Sequence, residues 1–382
     1  MNGIWKRKKT ITNAWCADVA GMPVRNYKNG DVTYYTGGPS FAVFFAKEGR
    51  SSQENLIRIG KVISDLSLFQ QIENEVKVKI NVKIIDCHYK ELNINFKGGH
   101  IMSTNKKDVV VLVGAGSIGQ AIARRIGAGR HVVLADLHPE NADAAAKILL
   151  DAGFEVSKIA VDISSRESIR KLIEHAQEFG PITNLINAAG VSPSQAPVSV
   201  ILKVDLYGTA VLLEEFSKVI ADGGSGIIIS SQSGHRLGAL SETENMQLAT
   251  TSTEELLELP FIKNITDTLK AYQYSKRCNV LRVMYEATRW GKRDATINSI
   301  SPGVIITPLA NDELNGPRGE GYRKMLSLCP AGRAGTPDEV GELAEFLMSK
   351  RGRFITGSDY LIDGGTTASY WYGDLQYLKE TH

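Results

Sequence analysis

Residues 109–126 read VVVLVGAGSIGQAIARRI, and this stretch decides the fold. The five apolar residues at its start predict a strand buried on both faces, as in a parallel sheet. The strand runs directly into a G-x-G-x-x-G turn, and a helical pattern follows at 120–126. This order of elements is typical of the pyrophosphate site in dinucleotide-binding sheets. The sequence therefore predicts such a site at a turn that consists of Gly114, Gly116, Ser117, Ile118 and Gly119.

The three glycines are expected to have different tasks. Gly114 permits the tight turn, Gly116 lets the backbone approach the pyrophosphate, and Gly119 allows close helix–strand packing. The N-terminus of the following helix offers free N–H groups and a partial positive charge to the phosphates.

An acidic residue closes the next predicted strand. Asp136 lies roughly 20 residues beyond the first glycine, where a carboxylate accepts hydrogen bonds from ribose hydroxyls and repels a 2′-phosphate. Leu137 follows it, and residues 114–119 contain no Arg or Lys. The sequence therefore predicts a site that prefers NAD over NADP. By itself, Asp136 would equally suit a surface turn.

A second acidic residue follows the third predicted strand. Asp162, with Ile163 after it, could meet the adenine amino group of the cofactor. The alternative is a local role beside Ser164 at the start of the next helix, and the residues favour neither.

Strand and helix patterns alternate from residue 108 onward. Further strands are predicted at 131–135, 158–161, 182–186, 226–229, 295–300 and 358–362. Capping boxes predict helix starts at Ser164 with Glu167 and at Thr336 with Glu339. Such alternation implies right-handed crossovers, so the predicted class is α/β, a doubly wound parallel sheet (a Rossmann fold) of about seven strands.

The chain before residue 97 has a different character. Strand-like segments at 31–35 and 40–46 flank a Gly-Gly-Pro turn, and residues 75–85 alternate apolar and charged side chains. We predict a small β-rich domain over 1–96, a linker over 97–107 and the α/β domain over 108–382.

Composition excludes several function classes. A formal net charge of +2 over 382 residues is too small to indicate a nucleic-acid partner. Four scattered cysteines without a C-x-x-C pair favour a reducing cytoplasm, and the histidines have no ligand spacing, so no metal is expected. No apolar run approaches the ~18 residues of a membrane span, and no secretory signal is visible.

Tyr272 is the only tyrosine with a lysine four residues later, Lys276. On a helix this spacing puts both side chains on one face. A lysine cation favours the phenolate and lowers a phenol pKa from about 10 towards neutrality. A surface helix pair is the alternative for this motif by itself.

Motifs over about 109–365 together resemble the short-chain dehydrogenase/reductase family. Besides the glycine turn and the tyrosine–lysine pair, they are N-A-A-G at 187–190, S-S-Q-S-G at 230–234, N-S-I-S-P-G at 298–303 and D-G-G at 363–365. The resemblance implies hydride transfer between NAD(H) and an alcohol or carbonyl substrate, in a homodimer or homotetramer.

The resemblance also implies individual roles. Tyr272 would be the general acid/base, Lys276 would lower its pKa and bind the nicotinamide ribose, and Ser231 would orient the substrate oxygen. Further cofactor contacts would come from Asn187, Ala188, Ala189, Gly190, Pro302, Gly303, Ile305 and Thr307.

The chain departs from the family pattern in three places. The glycine turn is one residue shorter than usual. Asp205 stands where the family has a catalytic Asn, so either its charge acts on Lys276 or only the backbone there matters. An insertion over 235–269, with a predicted helix at 251–259, would shape one wall of the substrate pocket, and residues 309–330 are a candidate lid. A plain surface excursion is the alternative for both segments. Similar insertions occur in enzymes that resemble steroid dehydrogenases, so a steroid substrate fits.

Residues 28–85 resemble small cyclophilin-like β-barrel domains, shortened at the N-terminal end. We expect a packing or oligomerisation module there. The alternative to the enzyme is a non-catalytic sensor of the NAD redox state with this β-rich domain as its output.

Overall fold

The structure, a computed structural model, describes residues 107–316 and 319–379, apart from the side chains of residues 309 and 313. Of residues 1–106 it describes the backbone of eight strands. The chain divides into two compact units, Met1–Lys106 and Lys107–His382.

The first unit is β-rich, as predicted. Its strands are β1 (Thr10–Ile11), β2 (Ala14–Cys16), β3 (Gly30–Asp31), β4 (Val43–Lys47), β5 (Asn55–Ile59), β6 (Ile80–Ile85), β7 (Glu91–Lys97) and β8 (His100–Ser103). Six of them form one sheet in the order β2-β4-β5-β6-β7-β8, in which only β5 and β6 pair in parallel. Strand β8 lies within 97–107, the predicted linker, so residues 100–103 belong to this sheet. Of the predicted strand at 31–35, residues 32–35 lie outside the described residues.

The second unit contains the predicted seven-stranded parallel sheet. Its strands are β9 (Val109–Val113), β10 (His131–Asp136), β11 (Glu155–Ala160), β12 (Ile182–Asn187), β13 (Ser225–Ile229), β14 (Thr296–Pro302) and β15 (Asp359–Ile362). The order is β11-β10-β9-β12-β13-β14-β15, which reverses direction between β9 and β12. In sheets of this kind ligands bind at that reversal, beyond the carboxyl ends of the strands.

Helices cover both faces of this sheet. They are α1 (Ser117–Ile126), α2 (Pro139–Asp151), α3 (Arg166–Phe179), α4 (Val198–Ile201), α5 (Thr209–Ser217), α6 (Gln232–Arg236), α7 (Glu242–Thr250), α8 (Pro260–Lys263), α9 (Thr268–Trp290), α10 (Pro308–Asn315), α11 (Gly319–Leu328), α12 (Pro337–Met348) and α13 (Thr366–Tyr372). A π-helical segment, Leu202–Gly208, joins α4 to α5. Successive residues of β9 belong alternately to two apolar cores, one on each face, as expected for a strand buried on both sides.

One of the two predicted helix starts is confirmed. Thr336 and Glu339 form a capping box at α12. The prediction of a capping box at Ser164 is wrong, because Ser165 is the N-cap of α3 and accepts from the Ser168 N–H. The Ser164 hydroxyl instead donates to Asp162.

The helix predicted at 251–259 is also wrong in type. The structure has a 3-10 helix at Thr253–Glu258, which lies between the α-helices α7 and α8 of the insertion. Ser252 bonds Glu255 through its hydroxyl, and Pro260 disfavours helical backbone at Leu259. These local preferences end the 3-10 helix at Glu258, and α8 begins at Pro260.

Candidate active site

The three glycines of the turn after β9 differ in their surroundings. Gly114 has a φ of +86°, and a Cβ there would lie 2.4 Å from the Ala189 nitrogen. A Cβ on Gly119 would lie 2.6 Å from the Gly114 oxygen, so α1 packs closely on the strand. At Gly116 a Cβ would meet nothing within 4 Å. The turn is therefore closed on the protein side and open where a phosphate would approach.

Asp136 joins the end of β10 to this turn. Its Oδ2 accepts from the Ala115 N–H at 2.9 Å, and its Oδ1 accepts from the His138 N–H at 2.9 Å. The carboxylate is therefore fixed beside the turn. Both lie at the carboxyl ends of β9 and β10, next to the space beyond the strand reversal, which we call the crevice. Leu137, next to it, is 56% exposed.

Asp162 and Ile163 lie just beyond β11. The Asp162 Oδ1 accepts from the Ser164 N–H at 2.8 Å and from its hydroxyl at 2.7 Å, which is the local role considered above. Ile163 is 5% exposed and belongs to the core, where its carbonyl would lie 2.8 Å from a Cβ on Gly208. These contacts hold the π-helical segment against the sheet.

The N-A-A-G segment begins at the end of β12 and is hydrogen-bonded to the end of β9, its neighbour at the reversal. The Ala188 N–H donates to the Val113 oxygen at 2.8 Å, and the Asn187 amide contacts Ala189 and Thr209 at 3.3 Å each. Gly190 has a steric reason to be glycine: a Cβ there would lie 2.6 Å from the Asp205 Oδ1 and 3.1 Å from the Lys276 Nζ.

Asp205 and Lys276 form a buried ion pair. Their Oδ1 and Nζ atoms are 3.6 Å apart, and the two residues are 0% and 4% exposed. Asp205 lies in the π-helical segment, and its Oδ1 also accepts from the Val191 N–H at 3.1 Å. Its Oδ2 is buried without a hydrogen-bond partner. Single turns of π-helix are frequent at functional sites, and here the segment places the carboxylate next to Lys276.

Helix α9 brings Lys276 next to Tyr272. The Lys276 Nζ is 5.3 Å from the centroid of the Tyr272 ring. Burial lowers the pKa of Lys276, but the charges of Asp205 and Tyr272 outweigh it and leave this pKa above its usual value. Lys276 is therefore a cation at neutral pH, and a cation at this place favours the phenolate of Tyr272.

Ser231 begins the short helix α6 after β13. It is 9% exposed, and its Oγ accepts from the Ser233 N–H at 3.1 Å. The neighbouring Ser230 hydroxyl donates to the Lys276 carbonyl at 2.8 Å. Since a Cβ on Gly234 would lie 2.9 Å from the Arg277 nitrogen, α6 packs directly on α9 beside the tyrosine–lysine pair.

The segment after β14 leads from the sheet to the candidate lid. Pro302 ends the strand, and the Gly303 N–H donates to the Ile362 oxygen at 2.9 Å. Ile305 is 7% exposed and forms a bridge with Gly335. The Thr307 Oγ1 accepts from the Ala310 N–H at 3.1 Å, so its hydroxyl caps α10.

Sequence reasoning missed two polar residues that follow Ser231. The Gln232 Oε1 and the Arg236 Nε are buried without hydrogen-bond partners. Their position inside and just after the S-S-Q-S-G motif was the only signal in the sequence.

The described part of the chain offers neither a membrane-spanning helix nor a metal-binding cluster. No helix there is long and apolar enough to cross a membrane. No cluster of three or more His, Cys, Asp or Glu side chains suited to a metal occurs among the same residues.

Three family models match the chain. Residues 107–241 match the short chain dehydrogenase model, and residues 261–367 match the enoyl-(acyl carrier protein) reductase model. Residues 16–81 match the cyclophilin-like family model.

Curated relatives match the second unit over nearly their whole length. A short-chain dehydrogenase/reductase, bsc3, of Alternaria brassicicola is 37% identical over 264 residues, which are 69% of this chain and 96% of the relative. A D-threitol dehydrogenase of Mycolicibacterium smegmatis is 30% identical over 289 residues, 73% of this chain and 98% of the relative.

Solved structures support the fold. Levodione reductase superposes with a TM-score of 0.57 at 22% identity, over 69% of this chain and 98% of that one. A short-chain dehydrogenase/reductase from Serratia marcescens has a TM-score of 0.55 at 24% identity, over 68% and 98%.

Proposed function

The chain belongs to the short-chain dehydrogenase/reductase family, and from this premise we propose that it transfers a hydride between NAD(H) and an alcohol or carbonyl carbon. Tyr272 is the general acid/base in this proposal. The observation that carries it is the Lys276 ammonium, 5.3 Å from the Tyr272 ring and paired with Asp205 in a buried site.

The residues present fit a dinucleotide. The glycine turn leaves open space at Gly116 beside the N-terminus of α1, and Asp136 stands at the edge of the same crevice. When bound, the nicotinamide supplies the hydride acceptor or donor. The reversal of strand order between β9 and β12 lies at this crevice.

Proton transfer is the task of the chain's own residues. In the oxidative direction the Tyr272 phenolate takes the hydroxyl proton of the substrate while a hydride leaves the carbinol carbon. An alcohol and NAD⁺ thus give a carbonyl compound, NADH and one proton, which passes from Tyr272 to solvent. Ser231 orients the substrate oxygen. Lys276 keeps the phenol acidic and binds the nicotinamide ribose.

Asp136 supports a preference for NAD over NADP. A carboxylate held beside the ribose site repels a 2′-phosphate and accepts from a 2′-hydroxyl. We expect Asp136→Asn to raise the ratio of kcat/KM for NADPH to that for NADH by about tenfold, because one like-charge repulsion is removed. Steady-state kinetics with both cofactors would measure this ratio. An unchanged ratio would contradict the preference. Asp222→Asn is the control, because the Asp222 side chain is 86% exposed and precedes β13, at the amino ends of the strands.

The names of the curated relatives indicate an alcohol as the kind of substrate but do not agree on one compound. Their names specify threitol and, for one from Bacteroides fragilis that is 28% identical, a 7alpha-hydroxysteroid. The proposal therefore covers secondary alcohols and their ketones, a steroid included, and a homodimer or homotetramer as the assembly.

The decisive experiment measures binding and turnover on the same protein. NADH titration by fluorescence comes first, followed by absorbance at 340 nm with a panel of alcohols plus NAD⁺ and carbonyls plus NADH. Binding together with turnover supports the proposal. Tight binding without turnover on any compound would favour the redox sensor, and no binding of either cofactor would exclude both.

A further inference from the structure

Arg236 is a partly buried cation that has no salt-bridge partner among the described residues. Its Nε is fully buried and has no hydrogen-bond partner. Its remaining contacts are weak: NH1 is 3.5 Å from the Met325 sulfur, NH2 is 3.3 Å from the Ser233 Oγ, and the guanidinium carbon is 5.8 Å from the centroid of the Tyr370 ring. No carboxylate among the described residues forms a salt bridge with it, whereas Arg166 pairs with three glutamates.

This arrangement is unfavourable unless an anion completes it. A guanidinium stays protonated in proteins, and a buried charge without a counter-charge has a high free-energy cost. Burial lowers the pKa of Arg236, which reflects this cost, and the charges of Tyr370, Tyr322 and Asp363 offset it only in part. Ser233 contributes a neutral hydroxyl and Met325 a thioether, so neither compensates the charge.

Arg236 cannot easily move away from this place. Gly234 lies against the backbone of α9, and the His235 ring bonds the Asp359 carboxylate at 2.6 Å. The Trp371 Nε1 donates to the His235 carbonyl at 3.1 Å. The backbone on the N-terminal side of Arg236 is thus fixed by α9, β15 and α13, and the helix that carries Arg236 also begins at Ser231.

The position of Arg236 points to the substrate rather than to the cofactor phosphates. Ser231 and Arg236 are five residues apart on one helix, which corresponds to about 8 Å along its axis. The pyrophosphate site at Gly116 follows β9, and β13 lies two strands away, or roughly 10 Å. A small molecule whose oxygen meets Ser231 and Tyr272 would therefore bring a second group, a few carbons away, to the guanidinium.

We propose that Arg236 binds a carboxylate of the substrate, so that the dehydrogenase function proposed above acts on hydroxy acids and oxo acids. The fork of guanidinium N–H donors matches the two oxygens of a carboxylate, and the Ser233 hydroxyl offers a further donor. Arg236 is thus a specificity-determining residue. It takes no part in the hydride or proton transfer.

The test compares acids with their neutral analogues. Calorimetry would measure the binding of acetate, butyrate, benzoate and cyclohexanecarboxylate, each against its primary amide, to the protein with and without saturating NADH. We expect the wild type to bind at least one acid about 30-fold more tightly than its amide, since hydrogen bonds to charged groups are gained. Arg236→Met should abolish that preference, and Arg236→Lys should retain part of it.

Arg351→Met is the matched control, because it removes the same charge from an exposed site. It should leave the acid preference unchanged. Equal affinity for acid and amide across all four pairs, or a preference that survives in Arg236→Met, would overturn the proposal. Should Arg236→Met weaken NADH binding instead, Arg236 would serve the cofactor. Arg236→Lys keeps the test valid if the methionine variant does not fold.

The two proposals fail in different ways. If NADH binds and acids are not preferred, only the substrate class is wrong. If NADH does not bind but acid binding depends on Arg236, the dehydrogenase function is wrong and the carboxylate site remains.

Discussion

The polar groups on the proposed cofactor side of the crevice, around the glycine turn, differ in their hydrogen bonding from those on the proposed substrate side, around Ser231. On the cofactor side, the Asp136 carboxylate and the Asn187 amide bond to neighbouring chain atoms. On the substrate side, Asp205, Gln232 and Arg236 each keep one buried polar atom without a partner. Buried polar atoms are normally satisfied. Unpartnered buried atoms also occur elsewhere among the described residues, for example at Arg125 and Trp290. The difference therefore supports the proposed ligand at Arg236 only together with the position of Arg236 on the helix that follows Ser231.

Tyr272→Phe should have the largest effect and should separate the two sides. Loss of the phenol proton should lower kcat about 1,000-fold, a typical contribution of general acid/base catalysis, and leave NADH affinity unchanged. Steady-state kinetics and NADH titration would measure both. Tyr274→Phe is the control, because Tyr274 lies on the same helix but packs on Phe261, with ring centroids 6.0 Å apart. Turnover that survives in Tyr272→Phe would contradict the assigned role.

Two alanine substitutions in one turn should sharpen the comparison within the cofactor side. Gly114→Ala places a side chain at positive φ and against the Ala189 backbone, so it should lower the free energy of unfolding by about 3 kcal/mol. Gly116→Ala meets open space but replaces the N-cap glycine of α1, so it should lower the free energy of unfolding by no more than about 1 kcal/mol yet weaken NADH binding. Urea unfolding and NADH titration would measure the pair. Equal loss of stability in both variants would contradict this description of the turn.

Asp205→Asn restores the amide that the family has and tests the charge on the substrate side. The Asp205 carboxylate raises the pKa of Lys276, so without it this pKa should fall and Lys276 should lose its charge at lower pH. The alkaline limb of the pH–rate profile should therefore move to lower pH, with kcat at neutral pH changed by less than about tenfold. If the profile is unchanged, only the backbone at residue 205 matters, the alternative that the sequence left open. Asp222→Asn is again the control.

The smallest effect is expected where the insertion contacts helices α3 and α5. The Thr253 hydroxyl donates to Glu214 at 2.9 Å, and Arg166 pairs with Glu214 at 3.1 Å. Burial raises the pKa of Glu214, but bonds from Arg166, Thr253 and Lys218 outweigh it and bring this pKa to about 2. A lowered carboxyl pKa contributes stability that is present above the usual value of 4.5 and is lost as pH falls towards 2.

Glu214→Gln should therefore lower the free energy of unfolding by about 1 kcal/mol at neutral pH, after allowance for solvent screening. The difference from the wild type should disappear as pH falls from 4.5 towards 2. Urea unfolding at several pH values would measure it. Glu345→Gln, at an exposed position, should show no such dependence, and a constant difference at every pH would contradict the assignment.

Local patterns explain which parts could be predicted. The strand Val109–Val113 and the glycine turn depend on neighbours in sequence, and the structure has the sheet that they predict. The start of α3 was missed because adjacent serines can both cap a helix, and Ser164 is held by Asp162 instead. The isolation of Arg236 could not be predicted, since it depends on which side chains α11 and α13 bring near it.

The π-helical segment Leu202–Gly208 limits where residues can be deleted from or inserted into the chain. Its wider turns accommodate one residue more than an α-helix would, and each residue of an α-helix advances the side chains by about 100°. A deletion within the segment would rotate Thr209 away from Asn187, and Asp205 away from Lys276. The extra residue therefore sets the angle between the side chains at the two ends of the helix. We expect the segment to tolerate substitutions more readily than deletions or insertions.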